Sequence, residues 1–144
     1  MARPSTPRSP GTAPADRSLA IAAEGLYLGN LLVAPGVCFA VLLWLWFRRG
    51  RGASPLARNH LRQTIAGSLW AGVLLVGLSG VIFFIGGFAS MWSWLAVILY
   101  FTFFHSALAL CGMIGLAHAM AGRPFVYPLI GPRERPTEGT GRPS

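Results

Sequence analysis

Three histidines, His60, His105 and His118, carry most of the chemistry this chain could perform. His105 lies deep inside an apolar run, where an ionisable side chain is costly and often functional. Asn30 sits at a similar depth in an earlier run, roughly 22–26 Å from the same end by helical rise, so an Asn30–His105 hydrogen bond forms if the two segments touch. The simpler role for His105 is structural: a neutral ring bonded to Asn30, Thr102 or a backbone carbonyl as interhelical glue. A proton-coupled carrier using His105 and Glu24 is a further option, and so short a chain would have to dimerise to alternate access. His60 and His118 fall at one common end of neighbouring runs. Facing histidines in a bundle can hold a haem iron, or a metal if a third ligand joins them, but their spacing here forms no motif.

The remaining chemistry is excluded by what is missing. Between Gln63 and Gly122 there is no Asp, Glu, Lys or Arg, so no intramembrane carboxylate is available for acid–base work. Ser106 beside His105 does not make a hydrolase pair, because neighbours i and i+1 on a helix do not face each other. Gly86-Gly87 lacks the lysine of a phosphate loop. Cys38 and Cys111 lie inside apolar runs and behave as small hydrophobes. The expectation is a chain that is no enzyme, with no catalytic residues, no metal site and no cofactor.

The elements that position these residues are membrane helices. Hydrophobic residues make up 53% of the 144 and charged residues only 11%, less than half the charge of an ordinary soluble domain. The net charge of +8 comes from twelve arginines and no lysine. These lie in the tails and beside the apolar runs, where they meet lipid headgroups, so nucleic acid is not the expected partner.

The spacing predicts an all-α integral membrane protein with spans over about 30–47, 64–85 and 94–120, since a helix crosses the hydrocarbon in about 20 residues. Leu19 onward reads as a helix lying at the interface with Glu24 towards water. Pro35 falls near the start of the first span, where it costs little or makes a kink. Trp44, Trp46 and Phe47 form an aromatic belt before Arg48 and Arg49. Ser54 reads as an N-cap with Pro55 in the first turn, followed by Leu56 and Leu61 in the interface and Arg58 and Arg62 snorkelling to headgroups. A stripe of Ser68, Gly72, Leu75, Ser79, Ile82 and Gly86 faces a second stripe of Thr102, His105, Ala109, Gly112, Gly115 and Ala119, and the two are expected to pack together. Phe125–Ile130 is too short to cross and suits the surface. Residues 1–18 and 131–144 read as disordered tails around a membrane domain over 19–130.

Charge sets the topology. The Arg48–Arg62 connector holds five arginines and the turn near Gly86 none, so the connector and the C-terminus are expected on the cytoplasmic side of the inner membrane. Three spans put the N-terminus outside, whereas a re-entrant first segment would put both ends inside.

Ser54-Pro55-Leu56 followed by Arg58, His60 and Gln63 resembles the opening of a membrane helix in a bacterial family of unknown function related to the chloroplast inner-envelope import component (Tic, twenty-kilodalton). Pro35, Trp44 or Trp46 and Arg48–Arg51 resemble that family's first span and basic turn, and Gly122, Tyr127 and Pro128 its closing segment. The resemblance covers about Ala20–Ile130. Thr64 stands where the family has alanine, and His105 lies outside its pattern. The resemblance implies a compact helical membrane protein, with a part in preprotein movement for the plastid relatives. The combined expectation is a non-enzymatic scaffold or accessory subunit related to protein import or membrane transport, in homo-oligomers or with other membrane subunits in the bilayer. Its partner site is expected in a cytoplasmic polar patch of Arg58, His60, Gln63, His118 and Tyr127.

Overall fold

The computed structural model describes residues 14–128. The sequence-based tail assignments for 1–13 and 131–144 lie outside the described residues; Pro14–Ser18 is helical. Four helices follow in order: α1 (Pro14–Leu32), α2 (Val37–Arg49), α3 (Pro55–Gly86) and α4 (Met91–Met120). Among the described residues there is no strand.

Among the described residues, only α3 and α4 are long and apolar enough to cross a membrane. About one-tenth of each apolar window is buried inside the protein, 11% in both, unlike the core helix of a soluble domain, whose apolar face must be covered. At 32 and 30 residues they measure roughly 45–48 Å, which exceeds the hydrocarbon thickness and calls for tilt or overhang. Phe84, Phe103, Leu99 and Val76 are among the large side chains left exposed.

The expected span over 30–47 is not formed. α1 ends at Leu32 and α2 begins at Val37, and the break has three local causes. Pro35 supplies no N–H and disfavours helix at Ala34. Gly36 adopts φ 84°, in the left-handed region. The Asn30 side chain then accepts the Gly36 N–H at 2.8 Å. The 13 residues of α2 reach only about 20 Å, too short to cross. α1 and α2 instead form a hairpin. Asp16 at the start of α1 shares a surface pocket with Arg48, Arg49 and Gly52 at the end of α2, while Leu31 near the tip packs with Leu75 and Leu108 in the middle of the long helices. The start of α1 therefore lies at the level of the connector.

Ser54 caps α3 as its sequence suggests: Oγ accepts the Ala57 N–H at 3.3 Å, with Pro55 in the first turn. Leu56 and Leu61 are buried, not interfacial, and Leu61 clusters with Leu19, Ala23, Leu42 and Ala57 across α1, α2 and α3. Within α3, Gly72–Leu78 is π-helical. The looser winding disturbs the regular i→i−4 carbonyl partners, and the Tyr100 hydroxyl of α4 donates to the Leu74 carbonyl at 2.7 Å.

The two small-residue stripes do not pack on each other along their length. A Cβ at Gly112 would lie 2.7 Å from side-chain atoms of Tyr27 and Leu28, and one at Gly115 would lie 2.6 Å from Glu24 Oε2. The small face of α4 thus receives α1. Direct α3–α4 approach is concentrated near the turn, where a side chain at Gly86 would meet the Ser93 hydroxyl, Phe83 stacks on Phe88, and Trp94 meets both rings edge-on.

Candidate functional site: a buried Glu–His–Tyr hub

Residues 20, 23, 24, 27 and 31 of α1 repeat at helical spacing and are all buried, so one stripe faces the bundle. Glu24 stands in the middle of that stripe, fully buried rather than turned to water. An unpaired carboxylate there would be prohibitive. It is held on both oxygens: Oε1 lies 2.7 Å from His60 Nδ1, and Oε2 accepts the Tyr127 hydroxyl at 2.7 Å. Gly115 makes the room, since any side chain there would occupy the carboxylate's place.

His60 is also fully buried, one turn into α3. Its Nε2 lies 2.9 Å from the Arg123 carbonyl oxygen, which can only accept, so Nε2 carries a hydrogen. The contact between Nδ1 and Oε1 then holds one further proton, as an imidazolium–carboxylate pair or as a neutral ring and a carboxylic acid. Either state satisfies every partner.

The chain after α4 is tied down by the same helix. Gly122 turns it with φ 67°. The Phe125 N–H donates to Asn59 Oδ1 at 3.2 Å and the Tyr127 N–H to Gln63 Oε1 at 3.3 Å. Alternate residues of an extended strap thus meet Asn59, His60 and Gln63, which stand on one face of α3. Of the Phe125–Ile130 segment expected at the surface, Leu129 and Ile130 lie outside the described residues, and Tyr127 is docked, 1% exposed. Burial, then the charge of Glu24 and the hydrogen bond to it, push the Tyr127 phenol well above its ordinary value, so it remains a donor. Tyr27 completes the hub: its ring meets Tyr127 edge-on at 5.3 Å and its hydroxyl reaches the Leu108 carbonyl at 3.3 Å.

The structure thus brings together His60, Gln63 and Tyr127. His118 stays outside the hydrogen-bond network: its Nδ1 lies 2.9 Å from the Ile114 carbonyl of its own helix and its ring packs on Phe125. Arg58 is exposed beside Trp46 and Arg62. His60 and His118 do not form a ligand pair, because both nitrogens of His60 are engaged within the protein. Among the described residues no three His, Cys, Asp or Glu side chains group together. Glu24 does not meet His105; it spends both oxygens on His60 and Tyr127. His105 and Asn30 line one pocket without bonding each other, and the His105 ring stacks on Phe101. Asn59 is the site residue that sequence reasoning missed, and Glu24, expected towards water or with His105, is found with His60 and Tyr127 instead. The stripe at 20, 23, 24, 27 and 31 was the available signal for Glu24.

The profile of the magnetosome magnetite crystal formation protein family, MamF/MmsF, matches residues 15–133 and so spans the hub and all four helices. No curated protein and no solved structure matches the chain. The family match overturns the resemblance to the import-component family. Within this fold Ser54 caps α3, and His60, Gln63 and Tyr127 tie α1, α3 and the strap together.

Proposed function

We propose a function from one premise: the chain belongs to the MamF/MmsF magnetosome magnetite crystal formation family. Within magnetite formation this chain acts as a non-enzymatic membrane scaffold, presenting an Arg-rich cytoplasmic face and gathering further copies or other membrane subunits through its apolar helix surfaces. The observation that carries this reading is the closed Glu24–His60–Tyr127 hub, whose polar groups are spent on one another and on the strap. A carboxylate surface that organises iron needs free oxygen ligands. The described residues contain two carboxylates, Asp16 and Glu24, and both oxygens of Glu24 are engaged.

The test is complementation of magnetite-forming cells that lack the chain, with crystal size and number read by electron microscopy. Glu24→Gln can keep both hub contacts with a neutral amide, so a scaffold predicts normal crystals from it, and disturbed crystals from Glu24→Ala. Normal folding with lost crystal formation in Glu24→Gln would show that the carboxylate itself reacts or binds iron, and would overturn the reading.

A further inference from the structure

A pocket of about 480 Å³ opens at the tip of the α1–α2 hairpin, lined by Asn30, Phe39, Ser68, Gly72, Phe101 and His105 among others. This is the size of a small-molecule site. Two of its lining polar atoms, Ser68 Oγ and His105 Nδ1, are buried without a hydrogen-bond partner, and Ser68 is 5% exposed. An orphaned buried polar atom is costly, and two on residues that line one pocket are relieved by a ligand that pairs with them after a small side-chain rotation. The wall of α3 here is the π-helical stretch, in which Gly72, Val73, Leu75 and Val76 all line the pocket; such windings are frequent at functional sites.

We propose that this pocket binds a membrane-soluble ligand of the quinone class: a flat, uncharged head bearing carbonyl oxygens, carried on a hydrocarbon tail. Ser68 and His105 stand near the midpoints of α3 and α4, so the ligand arrives through the hydrocarbon. No carboxylate, arginine or lysine lines the pocket, which disfavours a phosphate or ammonium head at that depth. The Ser68 hydroxyl and His105 in its neutral Nδ1–H tautomer can both donate to carbonyls. The parallel Phe101–His105 stack, 5.4 Å between centroids at 11°, offers a flat wall to a ring. A plain acyl chain would fit the apolar lining but leave Ser68 and His105 unpaired. The inference concerns a site separate from the hub and does not depend on the scaffold reading.

The test uses the full chain in mild detergent with decylubiquinone as probe and tetradecane as competitor. The expected result is saturable binding of one quinone per chain. Ser68→Ala and His105→Phe each weaken it about five- to tenfold, the worth of one hydrogen bond. Gly72→Leu abolishes it by filling the pocket; a Cβ at Gly72 meets nothing within 4 Å, and an unchanged circular dichroism melt checks that the variant is folded. Uptake that never saturates, or that Gly72→Leu leaves unchanged, reflects partition into the micelle and overturns the proposal. Equal affinity in Ser68→Ala and His105→Phe, or full displacement by tetradecane, shows that the pocket takes hydrocarbon only and overturns it as well.

Discussion

Replacing Glu24 separates hydrogen bonding from charge in the hub. Glu24→Ala removes the partner of both His60 Nδ1 and the Tyr127 hydroxyl, each 2.7 Å from a carboxylate oxygen, and leaves a void beside Gly115. Breaking a buried pair by removing one member costs about 3–5 kcal/mol, and a lost hydrogen bond to a charged group accounts for about 1.5–3 kcal/mol of that at each partner. Glu24→Gln behaves differently. Its amide NH2 donates to Nδ1 of a neutral His60, its carbonyl accepts from Tyr127, and His60 Nε2–H still donates to the Arg123 carbonyl. All donors and acceptors remain paired, so the cost is about 1 kcal/mol or less. The assay is thermal unfolding of purified protein in detergent by circular dichroism. Glu24→Ala is expected to lower Tm by roughly 10 °C or more, and Glu24→Gln by a few degrees. Equal losses in the two variants would mean that the charge, not the hydrogen-bond pattern, holds the hub, and would refute the reasoning.

Other outcomes follow from the same geometry. Burial and the nearby Glu24 carboxylate push the Tyr127 phenol above its ordinary range; the folded form holds the proton more tightly, so its stabilisation is complete below about pH 10 and declines as pH rises beyond that. Wild-type stability should therefore fall more steeply above about pH 10 than that of Tyr127→Phe, as followed by pH-dependent melts, and parallel slopes would contradict the buried phenol. Gly115→Ala forces a Cβ to 2.6 Å from Glu24 Oε2 and should destabilise by about 1–3 kcal/mol, whereas at Gly80, where a Cβ meets nothing within 4 Å, alanine should be neutral or stabilising in the same melt. Ser54→Ala removes the α3 cap and should cost about 0.5–2 kcal/mol.

Much of this fold is legible in the sequence, for physical reasons that differ by element. The Gln63–Gly122 stretch without charge already implies two long apolar helices, and Ser54-Pro55 marks a start because a hydroxyl acceptor and a missing N–H both suit a first turn. His60, Gln63 and Tyr127 group at one end because antiparallel spans return the chain there. The α1–α2 hairpin is harder to read. Hydropathy averaged over 30–47 looks like a span, while the break depends on backbone geometry at Gly36 and one Asn30 side-chain bond. Glu24 is harder still. A lone acid near an N-terminus reads as solvent-facing unless its partners are known, and those lie 36 and 103 residues along the chain.

The placement of that hairpin is the central claim, and topology mapping tests it most directly. Reporters fused at the N-terminus, in the connector at Gly52, in the turn at Phe88 and at the C-terminus report which side of the membrane each occupies. The hairpin predicts the N-terminus, the connector and the C-terminus on one side of the membrane, with the turn at Phe88 on the other. An N-terminal reporter on the same side as Phe88 would show that the first segment crosses the membrane, and would contradict the account.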